Sequence, residues 1–534
     1  MPPLGGTPVQ KGLLSSPNAL KLQGVCMAVH HIKKGLDLPI SGGPSDRLED
    51  GIGVSRVAVV ADDYPLMKPR MHVVEGDQVK RGQPLFEDRK AEGVVFTSPA
   101  EGEIVAINRG ERRVLQSVVI ALSPAERQGE GSHHDFESYQ GGALGQYNRE
   151  SLKALLSESG LWTALRARPY DRIPALTEEC SSVFVTAMDT NPLAGSVTVA
   201  LQGREADFRG GLDALGLLTD GKVFLCKAPG SEVPVTTNVE VAEFGGIHPA
   251  GLPGTHIHTL DPVGRTKTVW HVGYQDVAAI GALVRTGKLD VTRVVALAGP
   301  LVAEPRLLKT RQGASVTELT AGQLEEGAPP RRVAGSVLNG RTANCEIWGY
   351  LGRYHNQISV LKEDTERVLF GWLGSEKTQY SVTRAFFPIP LLAGGGTFLG
   401  LLAIPWPEGS SVPRLFFFQL TIICGLILAY HLFRMGLSLL SKDKGGDKIP
   451  MTTTAHGSHR AMVPIGSFER VMPLDVLPTF LLRALDVDDV ESAEALGCLE
   501  LGEEDLALCS FVAPGKTDYG KALRRNLDII WKEG

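Results

Sequence analysis

No C-x-x-C occurs in this chain, and no two of its seven cysteines stand closer than the eleven positions between Cys498 and Cys509. That spacing excludes a zinc site or an iron–sulfur cluster built from short-spaced thiolates. An odd, scattered set reads as reduced thiols and a cytosolic compartment. Neither a G-x-G-x-x-G nor a P-loop opens any helical stretch, so both common phosphate cradles are missing. Excess charge of one sign is missing too: 54 Lys and Arg stand against 60 Asp and Glu, a net charge of −6. With no basic stripe and few aromatics, nucleic acid is excluded as a partner, because phosphate contacts need clustered cations. Met1 to Gly24 lacks a charged start followed by a long apolar run, so no secretory signal is read there. Residues 1–30 are expected to be a disordered tail, with Met27 as an alternative start.

What is present is enough chain for three or four domains: 534 residues, 43% hydrophobic and 21% charged. One stretch departs from a soluble composition. Leu415 to Phe433 runs 19 residues without a charge between Arg414 and Arg434. As a helix it measures about 29 Å, the thickness of a bilayer's hydrocarbon. A second uncharged run, Ala385 to Pro407, carries Pro388, Pro390 and Gly394–Gly396, which membrane helices tolerate when neighbours satisfy the freed backbone. The pair reads as an inserted transmembrane hairpin over 385–449, with spans at 386–404 and 415–433. Arg384, Arg434, Lys442, Lys444 and Lys448 flank it, against Arg414 alone in its turn. The positive-inside rule then puts both soluble parts in the cytoplasm. A single span with a buried second segment is the alternative, and it would separate them.

The soluble parts read as α/β plus β. Over 31–123, short β runs alternate with turns such as Glu75-Gly76-Asp77 and Ser98-Pro99-Ala100-Glu101-Gly102, a pattern that resembles the barrel-sandwich fold of lipoyl domains. Lys90 lies near the place where such carriers hold a cofactor, without their motif. Residues 124–150 are a polar linker. From 151 to 305, strands at Val183–Ala187, Lys222–Cys226 and Val294–Gly299 alternate with helices at Glu205–Leu218 and Gln275–Leu283, giving a Rossmann-like α/β domain. Residues 306–384 open with a smaller β-rich unit, and 450–534 is helical, with Asp475 as a helix cap. Gly and Pro make His248–His258 a loop, and His256 and His258 would share one face of an extended chain, where they brace the loop by hydrogen bonds to backbone or else serve in ligation or proton transfer.

Several long motifs, in order, carry a family resemblance. They include His31-Ile32-Lys33-Lys34-Gly35-Leu36-Asp37-Leu38-Pro39-Ile40, Ser159 to Arg166, Thr186 to Ala194, the histidine loop, Tyr350 to His355, Met462 to Gly466, Glu469 to Asp475 and Glu503 to Cys509. The chain resembles the NqrA family of the sodium-translocating NADH:quinone oxidoreductase, the Nqr complex, over roughly 30–384 and 450–534. The resemblance implies a translocase that passes electrons from NADH to ubiquinone and pumps sodium. Its partners would be the other Nqr subunits, NqrB to NqrF, chiefly the membrane protein NqrB. FMN, riboflavin, FAD and iron–sulfur centres would belong to those partners, and no cofactor to this chain. It also implies a scaffold related to the flavin subunit of respiratory complex I, with a β-grasp-like (SLBB-like) unit over 306–384. Those relatives cradle FMN on a Gly-rich loop. The matching stretch here, Gly160 to Pro169, carries Leu161, Trp162 and Arg166 instead, which keeps backbone amides away from a phosphate.

The hairpin departs from the family pattern and is read as an added anchor. It carries no acidic residue between Ala385 and Pro407 or between Leu415 and Phe433, which argues against the insert carrying the sodium ion. A quinone-end subunit needs apolar walls and a few hydrogen-bond donors. Tyr64, Met67 and Arg70, which follow a strand, and His256 and His258 are the expected quinone contacts; no catalytic or metal-binding residue is assigned. Two other readings remain: a membrane-anchored scaffold without quinone, and a lipoyl-like carrier or adaptor modified at Lys90.

Overall fold

The computed structural model describes residues 29–365, 380, 422–423, 448–455 and 459–533. The expected spans at 386–404 and 415–433 therefore lie outside the described residues, apart from Ile422 and Ile423, which are helical and exposed. Among the described residues no helix is long and apolar enough to cross a membrane.

A six-stranded α/β sheet forms the centre. Its order is Val29–Ile32, Glu240–Gly246, Lys222–Lys227, Ser182–Ala187, Val269–Gly273 and Arg166–Arg168. Neighbours pair in parallel except at the last strand, which is antiparallel. Its inner strands read as continuous apolar runs because helices cover both faces. Helix Glu205–Leu218 leads from Ser182–Ala187 to the neighbour on one side, and helix Pro253–Leu260 leads into the neighbour on the other. The strand order thus reverses between Ser182–Ala187 and Val269–Gly273. Helices Glu205–Leu218 and Tyr274–Thr286 cross in close backbone contact. A Cβ on Gly211 would meet the Val277 carbonyl oxygen at 1.9 Å, and one on Gly281 the Asp207 carbonyl oxygen at 1.8 Å.

Two smaller sheets, of four and three strands, make the barrel-sandwich between Arg56 and Leu122. The last sheet has six strands: Arg341–Thr342, Pro330–Ala334, Gln357–Lys362, Thr292–Ala298, Arg306–Arg311 and Leu48–Asp50. Helices from Ser467 to Glu533 build a C-terminal unit around Phe468, Leu481, Leu485, Leu523 and Leu527.

Several expectations are corrected. The run at Val294–Gly299 does not extend the α/β sheet. As Thr292–Ala298 it pairs antiparallel with Arg306–Arg311 and parallel with Gln357–Lys362, so the break between the two units falls before it rather than at 305. A fully buried strand looks alike in either sheet, and only its partners tell them apart. Val29 and His30 are not tail but the start of an edge strand, and Leu48–Asp50 joins the third unit, so the segment before the barrel laces two other units together. The second half of the histidine loop is the helix Pro253–Leu260, started by a proline at its first turn. Asp475 caps no helix: the helix begins at Pro478, and the Asp475 N–H donates to His258 Nε2 at 2.9 Å.

Candidate functional site

Open α/β sheets bind ligands outside the carboxyl ends of their strands, at the point where strand order reverses. A crevice of about 320 Å³ lies there. The strand ends supply Thr186, Asp189, Gly273 and Tyr274; the barrel-sandwich supplies Asp62, Asp63 and Pro65; the third unit Arg341, Arg353 and His355; and the helical unit Glu503 and Glu504. All four units meet around this space.

Ion pairs cross-brace its walls. Asp276, in the first turn of helix Tyr274–Thr286, pairs with Arg293 and lies 2.6 Å from Arg353 Nη1. Burial alone would raise its carboxyl, but the two guanidinium groups hold it below the usual range. Asp63 accepts from Arg341 at 2.7 Å and from the Arg353 N–H at 2.8 Å, tying the barrel to the third unit. Asp171, fully buried, pairs with Arg166 and lies 3.3 Å from Arg168. Against its burial, those cations hold it well below the carboxylate range. It accepts from His271 Nε2 at 3.0 Å, and burial lowers that imidazole to about 4, so the ring is neutral with its proton on Nε2. Burial, with Asp505 and Asp171 nearby, pushes Glu504 up to about 7. His355 is pushed down to about 4 by burial.

The stretch expected to depart from a flavin cradle folds as a tight turn, Leu161–Ala164, entered through Gly160 at φ +76°. Leu161, Trp162, Thr163 and Ala164 are all buried. Trp162 packs edge-on against Trp270 at 5.3 Å, and its indole N–H donates to the Pro174 carbonyl at 2.7 Å. The amides of Thr163 and Leu165 donate to the carbonyls of Gly160 and Trp162. Buried side chains fill this turn and the amides of Thr163 and Leu165 are already bonded, so its residues do not fit the phosphate of a flavin nucleotide. Burial pushes the Cys180 thiol up to about 11 and those of Cys498 and Cys509 to about 12, so these sulfurs stay protonated and make poor metal ligands. Among the described residues no group of three His, Cys, Asp or Glu is placed to hold a metal ion.

The five residues expected to contact quinone do not converge. Tyr64 is buried behind the crevice wall, edge-on to Phe96 at 4.7 Å, and Met67 packs on the same core. Arg70 is exposed and pairs with Glu87 at 2.7 Å. His256 has no exposed surface: its Nε2 donates to the Ala250 carbonyl at 2.9 Å, its ring lies 4.4 Å from Phe244, and burial lowers it to about 3. His258 lies 2.6 Å from Glu500, which raises its pKa. The Asp475 N–H on Nε2 needs a lone pair, so Nδ1 carries the proton toward Glu500. Lys90 is exposed, but the neighbouring Gly93 carbonyl accepts from Ser157 and Val94 is buried. The hairpin that would swing in a carrier is seated on the α/β unit.

Sequence reading missed the ionic cluster of Asp171, His271, Asp276, Arg293, Arg353 and Glu504. Arg353 and Glu504 did lie inside quoted motifs, but nothing in single charges dispersed over 330 positions signals that they converge.

Comparison with known proteins gives matches to three family models. They are the NqrA N-terminal barrel-sandwich hybrid domain over residues 30–123, the NqrA second alpha/beta domain over 147–289, and the NQRA C-terminal domain over 294–344. Among curated proteins, the NqrA subunit of the Na(+)-translocating NADH-quinone reductase of Neisseria gonorrhoeae is 48% identical over 506 residues, covering 94% of this chain and 99% of that one. The proteins of the same name from Shewanella amazonensis and Actinobacillus succinogenes are 47% and 49% identical over 503 residues, with the same coverage.

Proposed function

Since the chain belongs to the NqrA family of the Na(+)-translocating NADH-quinone reductase, we propose that within this oxidoreductase complex it works by position. On this reading it holds no redox group and shapes the quinone-reducing end for partner subunits that carry the flavins and iron–sulfur centres. The observation that carries this is Trp162: an indole buried against Trp270 occupies the turn in which a nucleotide cradle would need glycine amides. The crevice beyond it is bridged by Asp276 to Arg293 and Arg353. Purifying the chain without its partners and assaying flavin fluorescence and iron tests the reading. Neither is expected at stoichiometric level, and one FMN or iron per chain overturns it.

Of the expected quinone contacts, Tyr64 and Met67 would act by holding the wall behind Asp62, Asp63 and Pro65, which line the crevice. Arg70, His256 and His258 have other partners. Photo-crosslinking of a ubiquinone analogue to the assembled complex is expected to label residues 62–67. Labelling confined to other subunits leaves the chain a scaffold.

The membrane hairpin belongs to the same proposal, and the ends of the insert support it. The Asp364 N–H donates to Thr453 Oγ1 at 2.9 Å, Thr452 Oγ1 donates to Asp364 at 3.1 Å, and Lys362 bridges Thr452. The chain thus leaves and returns at one place, which supports two spans over one, with both soluble parts on the cytoplasmic side that the flanking cations prefer. Alkaline carbonate is expected to leave the chain in the membrane.

A further inference from the structure

Between the insert and the helical unit runs a loop that turns one side chain inward and the next ones outward. Met462 packs onto the helical core, whereas Val463 is 41% exposed and Ile465 50%. The Ile465 N–H donates to the Val463 carbonyl at 3.0 Å, a tight bend that presents both side chains outward. Arg460 passes so close to Gly515 that a Cβ there would lie 2.5 Å from the Arg460 carbonyl oxygen. Lys516 donates to the Phe511 carbonyl at 3.1 Å, with its ammonium 5.8 Å from the Phe511 ring.

The same ring is where the chain approaches its apolar run. Tyr380, five positions before Ala385, stacks on Phe511 at 6.0 Å. The patch is basic in a chain that is acidic overall. Arg460 and Arg470, both exposed, flank the loop in the chain, and Arg470 Nε donates to the Gly466 carbonyl at 3.3 Å; the one nearby carboxylate in the stretch, Glu469, accepts from Thr479. Two exposed aliphatic side chains flanked by two arginines, on the stretch of chain that follows a membrane-length apolar segment, match an interface that dips into lipid headgroups.

From this continuity and charge we propose that the Val463–Ile465 loop rests on the anionic lipid surface of the membrane, a second contact beside the insert. The inference depends on residues 385–433 being embedded, so the test reads both. In the full chain, Cys26 and Cys345 are replaced by serine. One version keeps native Cys424, inside the apolar run, as its reactive thiol; the other carries Cys424→Ser with Ile465→Cys. Each is labelled with a nitrobenzoxadiazole probe and reconstituted in vesicles of phosphatidylglycerol and phosphatidylcholine, with and without doxyl-labelled lipid. The expected result is at least twofold quenching at Cys424 by doxyl groups deep in the acyl chain and at 465 by shallow ones, the latter lost in pure phosphatidylcholine at high salt. Quenching at Cys424 with water-like emission at 465 overturns the lipid contact alone. Absence of quenching at both overturns the embedded insert and this contact together. A label at 465 that is shielded only in the assembled complex, without lipid quenching, assigns the loop to a partner protein and overturns the proposal.

Discussion

Trp162 is a single side chain whose removal separates fold from cofactor. It is fully buried, so Trp162→Ala opens a cavity that the surrounding strands fill only in part. The variant is expected to lose about 3–5 kcal/mol of stability in urea unfolding. It should gain no flavin on reconstitution, because the amides of Thr163 and Leu165 remain bonded within the turn. The bulk at this position was legible in the sequence as a departure from a Gly-rich loop; that the indole N–H is bonded to Pro174 was not. The histidines show the opposite case. His256 and His258 stood out because functional side chains gather on loops. Yet one has its Nε2 bonded inside the protein and the other bridges Glu500 to the Asp475 amide. Residue type and spacing are the same for a bracing histidine and a ligand, and only the partner decides.

Among elements, the crossing of helices Glu205–Leu218 and Tyr274–Thr286 is set by Gly211 and Gly281, each facing the other helix's backbone. Gly281→Ala forces the helices apart, and overpacking of this kind costs about 1–3 kcal/mol. Its thermal midpoint should fall, whereas Gly216→Ala on the same helix pair, with open space around the added methyl, should leave it level or raise it slightly. Both helices were readable from their apolar spacing, as were the strands that form the barrel. What the sequence did not reveal was exchange between units: Val29–Ile32 serving the α/β sheet, Leu48–Asp50 and Thr292–Ala298 serving the third. Local pattern fixes that a segment is a strand, and long-range pairing fixes whose.

At the scale of the molecule, the helical unit is clamped to the α/β unit through Arg168. This guanidinium has no exposed surface, lies 2.9 Å from Asp505 and donates to the Glu500 carbonyl at 3.0 Å. Asp505→Ala leaves a buried cation short of its partner and is expected to cost about 3–5 kcal/mol. Limited proteolysis should then cut first in the C-terminal third. Acid stability is a property of the whole as well. His248, His271 and His355 are lowered to about 4 and His256 to about 3, all by burial, against 6.5 when unfolded. The unfolded chain therefore takes up protons near pH 6.5 that the native one refuses until about 4. Glu504, pushed up to about 7, works the other way and gives up a proton on unfolding. Stability should fall below pH 6.5, with about three protons bound net on unfolding near pH 5. A thermal midpoint flat between pH 7 and 5 would refute the four buried neutral rings.

The stitch between Asp364 and Thr453 also bears on how such an anchor is acquired. Because the joint is closed by the body's own hydrogen bonds, excising 381–447, which keeps Tyr380 on Phe511, and bridging the gap with glycines and serines should leave the melting temperature within about 2 °C, since loop length enters closure entropy only logarithmically. Tether and body would then be independent parts, one graftable onto the other without redesign of either.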